Sequence, residues 1–282
     1  MYRLSLLFLF VVQGTELPEL RIEAPSGLSG EKSRLESFEA KRLADVMRLV
    51  GLRNPGPPIH IELAAESSDW ARSVPRWTAG FAVQDKVVIF PSRSPSYPDS
   101  TLNDVLRHEV THALIWRAAA GRPIPRWFNE GLAMAAERGW KLRDQTQLFF
   151  HLVSGTRLSL RELDGLFGGG QSEQTRAYLL SGALVQNLLT KHGHTAGGRI
   201  LDEMGRGASF ETAFTDVVGQ SPAAAEEDFW NGQRVWTTWM PVLFSQETLW
   251  TVITLLAILA ILRRRRRNAE IRKRWEEEEE AD

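Results

Sequence analysis

From Glu31 to Val50 the apolar residues Leu35, Phe38, Leu43, Val46, Leu49 and Val50 recur at helical spacing. This predicts a packing helix, ended by the breaker Asn54-Pro55-Gly56-Pro57-Pro58. Residues 15–30, with Pro18 and Pro25, read as irregular. Ile59-His60-Ile61-Glu62-Leu63 alternates apolar and polar and predicts a strand with His60 on its solvent-facing side. Gly80 to Val83, the turn Gln84-Asp85 and Lys86 to Phe90 predict a hairpin that stops at Pro91. Beyond it every strong period is helical. Leu102, Val105, Leu106, Ala113 and Leu114 mark one helix, and Trp127 to Glu137 a second after Pro123-Ile124-Pro125. A region with Trp140, Leu142, Leu148, Phe149, Phe150 and Leu152 as packing residues and His151 as a structural histidine follows, and then a Gly-rich turn over Leu163 to Gly170. Arg176 to Val185 begins another amphipathic helix, running to Lys191-His192-Gly193-His194. Residues 197–232 finish as helices with Leu201, Met204, Phe210, Ala213, Phe214 and Phe229 facing a core. The expected fold class is α+β: a small mixed sheet followed by a mainly helical domain.

Both ends depart from this pattern. Arg3 followed by the apolar run Leu4 to Val12 is too short to cross a bilayer and reads as a secretory signal over residues 1–14, with a buried strand as the alternative. Thr248 to Leu262 carries no charge. Extended by Met240 to Phe244, with Glu247 an awkward residue near the interface, and by snorkelling arginines, it predicts one transmembrane helix over 240–262, with a buried core helix as the alternative. Arg263 to Arg267 follow directly, which by the positive-inside rule makes the charged tail, residues 263–282, cytoplasmic. Trp236, Trp239 and Trp250 would then form an outer aromatic belt. Together the ends predict a single-pass protein of the cytoplasmic membrane whose main domain is extracytoplasmic, hence periplasmic in a Gram-negative cell.

With 282 residues the chain has room for one sizeable core, placed at residues 57–235 after a helical lead-in over 15–56. A net charge of −1 gives no reason to expect a nucleic-acid partner. The absence of cysteine excludes disulfides and a thiolate nucleophile, and leaves His, Asp and Glu as metal ligands.

Those residue types converge in His108-Glu109-Val110-Thr111-His112. Thr101 and Asp104 make a capping box before this run, and Gly121 is a natural stop after it. His108 and His112 are four apart, so they share one helix face and can grip one Zn2+, with Glu109 beside them. Catalytic zinc takes three protein ligands and keeps one position open. Glu130 can be the third if its helix packs against the first, as the short Gly/Pro loop between them favours. Asn129 and Glu137 are candidates for orienting the ligands.

His-Glu-Val-Thr-His followed by Trp-Phe-Asn-Glu-Gly-Leu-Ala resembles the gluzincin branch of zinc metallopeptidases, in particular its peptidase MA-like families. The likeness runs through residues 57 to 230 in element order and is sharp in these two motifs. It implies a zincin-type catalytic domain with His108, His112 and Glu130 as zinc ligands and Glu109 as general base. It implies further that an edge strand, Gly80-Phe81-Ala82-Val83 or Lys86 to Phe90, pairs with an extended peptide; an ordinary covered sheet edge is the competing reading. Tyr178 matches the tyrosine that hydrogen-bonds the oxyanion in that branch, against a buried structural role. His192 and His194, at a helix end, read as dipole partners. The aminopeptidase branch carries a Gly-x-Met-Glu-Asn strand, whereas Ala79 to Val83 has no carboxylate, which favours an endopeptidase. The expected function is a membrane-anchored zinc metallopeptidase acting on peptide or protein substrates. The rival, from another class, is a catalytically idle zincin fold serving as a membrane-bound assembly or chaperone factor; the intact Glu109 argues against it. A third reading, a membrane scaffold, needs no metal.

Overall fold

The computed structural model describes residues 16–93, 95, 97–137, 142–154, 157–243 and 246–279. The expected signal segment over residues 1–14 lies outside the described residues. In order the elements are β1 (Leu20–Glu23), α1 (Ser29–Glu36), α2 (Ala44–Val50), β2 (Ile59–Leu63), α3 (Asp69–Ser73), β3 (Gly80–Val83), β4 (Lys86–Ile89), α4 (Leu102–Ala118) and α5 (Arg126–Glu137). Then come α6 (Leu142–Ser154), α7 (Leu160–Leu166), α8 (Gln171–His192), α9 (Ala196–Gly205), α10 (Phe210–Val218), α11 (Pro222–Leu243) and α12 (Gln246–Glu279). The chain divides into two units, Met1–Phe229 and Trp230–Asp282. The architecture is mixed α+β, mostly helical, as the periodicities predict.

The first unit holds a four-stranded sheet in the order β1-β2-β4-β3. β1 and β4 flank β2 in parallel, and β3 returns antiparallel to β4, so β3 is an edge strand. Alternation along β2 buries Ile59, Ile61 and Leu63 and leaves His60 exposed, as expected. The hairpin turns at Gln84, whose φ of 55° is the left-handed conformation a tight two-residue connection needs.

Two expectations for the lead-in are corrected. Residues 20–23, read as irregular, form β1 and pair with β2 in register Leu20 with Ile59. The single helix expected over 31–50 is two, α1 and α2, interrupted after Glu36. The apolar period runs across the break because Leu35, Leu43, Val46, Met47 and Val50 are buried on both sides of it. Phe150, expected to pack, is 64 % exposed on α6; Trp140 and the side chains of Leu142, Phe149 and Leu152, expected to pack as well, lie outside the described residues. Leu201, Met204, Phe210, Ala213, Phe214 and Phe229 are all buried, as expected.

α4 lies at the centre of this unit. Thr101 and Asp104 make the predicted capping box, the Asp104 N–H donating to Thr101 Oγ1 at 3.2 Å and the Thr101 N–H to Asp104 Oδ2 at 2.9 Å. Val105, Leu106, Val110, Ala113, Leu114 and Ile115 are fully buried. Gly131 sets how α5 meets α8: a Cβ there would lie 2.4 Å from Val185 Cγ2 and 2.5 Å from the Ser181 carbonyl oxygen. Glycine therefore lets these backbones approach closely, and the helix carrying Glu130 sits hard against the helix carrying Tyr178.

In the second unit α12 exposes Leu249, Trp250, Val252, Ile253, Leu255, Leu256, Ile258, Leu259, Ile261 and Leu262. Among the described residues no helix is long and apolar enough to cross a membrane. The expected transmembrane helix over 240–262 is therefore unsupported. Residues 240–243 belong to α11, and the uncharged run of α12 rises only about 22 Å against a bilayer core of roughly 30 Å. The side chains of Trp236 and Trp239 lie outside the described residues.

Candidate functional site

His108, Glu109 and His112 project from the buried face of α4, and Glu130 comes from α5. One ligand atom from each of His108, His112 and Glu130 lies within 4.8 Å of the others. Glu130 Oε2 is 3.5 Å from His108 Nε2 and 3.3 Å from His112 Nε2. The oxygen is buried and makes no hydrogen bond of its own. A tetrahedral zinc with bonds of 2.0–2.1 Å separates its ligand atoms by roughly 3.3 Å. Two imidazoles and one carboxylate brought to that separation therefore fit a divalent cation, and the donor set favours zinc.

Polar side chains stand around the three candidate ligands. Asn129 Oδ1 lies 3.0 Å from His112 Nδ1. An amide oxygen only accepts, so Nδ1 carries the proton and Nε2 presents its lone pair to the Glu130 side. On the other histidine, Asp99 Oδ1 stands 4.0 Å from His108 Nδ1, with both side chains largely buried. Asp164 of α7 caps α5 from outside it, accepting the Trp127 N–H at 2.7 Å. Gly80 of β3 abuts Glu109: a Cβ there would lie 3.0 Å from Glu109 Cγ and 2.8 Å from Val105 Cγ1. The sheet edge and the carboxylate between the histidines are thus in van der Waals contact.

Burial pushes the Glu109 carboxyl up, partly opposed by His108 and His112 and reinforced by Glu130. Burial also acts to raise Glu130, but the charge and hydrogen-bonding capacity of His112 and His108 prevail and hold it well below the usual carboxylate range. For His112 burial opposes protonation, yet Glu130 overcomes it and raises the imidazole. Tyr178 is pushed well above the usual phenol range by burial, with Glu130 and Glu109 adding to the effect. Its hydroxyl stays protonated and is a donor at any physiological pH.

These groups open onto a cleft of about 700 Å³. Gly80, Phe81 and Ala82 form one wall, while Trp116, Ile124, Arg126, Phe167 and Tyr178 stand among the residues of the others. The Tyr178 ring is 6.2 Å from that of His108, edge to face, and 5.3 Å from that of Phe167. The Trp77 Nε1–H donates to Gln174 Oε1 at 3.2 Å, linking the loop before β3 to α8 at the cleft.

Most of the predicted site residues meet here: His108, His112, Glu130, Glu109, Tyr178, Asn129, Gly80, Phe81 and Ala82. Val83 does not; it is the last residue before the turn, is 55 % exposed, and does not line the cleft. The side chain of Glu137 lies outside the described residues. His60 is exposed, and His151 accepts from Arg176 Nε–H at 3.1 Å, a structural contact as expected. Asp99 and Arg126 were not anticipated. Asp99 lies in a proline-containing loop that carries no period. Arg126 was readable, since it stands one turn before Glu130 on the same helix face.

Residues 42–235 match the family model of the Peptidase MA superfamily. No curated protein matches the chain.

Proposed function

The chain belongs to the Peptidase MA superfamily, and from that premise we propose that it is a zinc-dependent metallopeptidase, and specifically an endopeptidase. The observation that carries this reading is the meeting of His108 Nε2, His112 Nε2 and Glu130 Oε2 beside Glu109 at the floor of an open cleft. His108, His112 and Glu130 would hold the ion, with Asn129 fixing His112. When bound, zinc supplies Lewis acidity that polarises the scissile carbonyl and acidifies water. Glu109, raised by burial into a better base, takes the proton from water and returns it to the leaving amine. Tyr178 keeps its proton and donates to the oxygen on which negative charge develops. The free edge of β3 offers Gly80, Phe81 and Ala82 as a backbone rail for an extended peptide. No carboxylate stands on that strand to hold a free amino terminus, which supports cleavage of internal bonds.

The same proposal attaches the protein to the cytoplasmic membrane with its peptidase domain on the extracytoplasmic side. Support for attachment comes from the exposed apolar residues of α12, followed at once by Arg263 to Arg267, and support for the side from the signal-like run Leu4 to Val12. Alkaline extraction of membranes distinguishes a spanning helix from surface attachment, and recovery of the whole protein in the soluble fraction before extraction contradicts both.

Proteolysis of an unstructured protein by the full chain, compared with Glu109→Gln, tests the enzymatic reading. Internal cleavage by the parent, reduced at least about 100-fold in the variant, is expected. Equal cleavage by both proteins, or removal of N-terminal residues alone, contradicts it.

A further inference from the structure

Arg126 has no part in the chemistry above, yet it is the one Lys or Arg among the described residues lining the cleft. Its guanidinium lies over the Phe167 ring, 4.6 Å from the centroid. Phe167 is itself 2 % exposed and braced edge to face by Tyr178. Contact with the ring restrains the guanidinium and leaves its outward N–H groups as the part that can bond. The nearest charge is Glu130 Oε1, 3.6 Å from Nε, beyond hydrogen-bond length; Asp164 also acts on the group through space. The side chain remains 51 % exposed. A cation held on an aromatic ring, beyond hydrogen-bond length of its nearest carboxylate and lining the cleft, is a preorganised anion site.

Resting on the metallopeptidase reading, we infer that Arg126 sets substrate preference: it receives a carboxylate of the bound peptide, close to the scissile bond. Glu130 lies one helical turn further along α5, which places the guanidinium beside the candidate metal site. The carboxylate can belong to an Asp or Glu side chain or to the peptide C-terminus. The two sources share the planar, two-oxygen geometry that a guanidinium edge matches.

The test uses the full chain and matched peptides that differ by Glu against Gln at successive positions, or by a free against an amidated C-terminus. Two readouts are taken: kcat/KM on the parent protein, and fluorescence-anisotropy binding to the metal-stripped protein. The parent is expected to favour the carboxylate form about five- to tenfold in one of the two series, which identifies the source. Arg126→Gln abolishes the ratio and Arg126→Lys retains part of it. A general loss of activity or stability cancels within each peptide pair. Ratios unchanged by Arg126→Gln, or close to one in the parent, overturn the inference. Should no peptide be cleaved at all, the metallopeptidase reading fails, while the binding ratios still decide whether Arg126 receives a carboxylate.

Discussion

The amide oxygen of Asn129 sits 3.0 Å from Nδ1 of His112, so two adjacent residues of α5 serve the same point in space. Glu130 approaches from the front of the imidazole and Asn129 fixes it from behind, while Gly131 admits the neighbouring helix. One short run of sequence supplies a candidate ligand, its partner's orientation and the packing that holds both.

Asn129→Ala should therefore weaken zinc binding by about 10- to 100-fold, the usual cost of losing such a supporting contact. Asn129→Asp keeps an oxygen on His112 Nδ1 and should retain most of the affinity. Competition against a chelating dye measures both. Equal affinity in Asn129→Ala and the parent would show that His112 needs no such support.

Gly80→Ala places a methyl 2.8 Å from Val105 Cγ1 and 3.0 Å from Glu109 Cγ. Overpacking of this kind typically costs about 1–3 kcal/mol. Because the displaced group is the proposed general base, kcat should fall more than KM rises. Urea denaturation and steady-state kinetics on the same preparation check the two effects separately. A fall in stability with unchanged kcat would mean that β3 yields instead of Glu109.

Arg93 is largely buried and bonds to Glu66 Oε1 at 2.7 Å and to the carbonyl oxygens of Pro75 and Thr78 at 3.0 and 2.9 Å. It thereby holds the loop that leads into β3. The hydrogen bond from Arg93 lowers the Glu66 pKa, with partial desolvation opposing it. A depressed carboxylate pKa stabilises the fold at pH values above its unfolded value, about 4.3, and that stabilisation is lost as pH falls through the folded value. The difference in stability between the parent and Glu66→Gln should accordingly be full at pH 7, begin to shrink as pH falls below about 4.3, and disappear only once pH has passed below the lowered folded value. Denaturation midpoints across that range read it, and a difference that grew toward low pH would contradict the sign.

Local signals carried much of this molecule. The Thr101–Asp104 box, the alternation of β2 and the breaker Pro123-Ile124-Pro125 are each complete within a few residues, and each element appears where they place it. β1 was not legible, because four residues between Pro18 and Pro25 become a strand only through pairing with β2, nearly forty positions away. The break between α1 and α2 was hidden for the opposite reason: the same core covers both helices, so burial keeps its period while the backbone does not. At the site, the residues within the two motifs were readable from helical spacing. Asp99 and the clamp at Arg93 were not, since their partners are set by how loops fold over α4 and the sheet.

Zinc content of the dialysed full chain, compared with that of Glu130→Ala, bears most directly on the claim that α4 and α5 build one metal centre. One zinc per chain in the parent is predicted, with affinity reduced by at least about 100-fold when the third ligand is removed. A parent chain that binds no zinc, or a variant that holds it as tightly, would contradict the account.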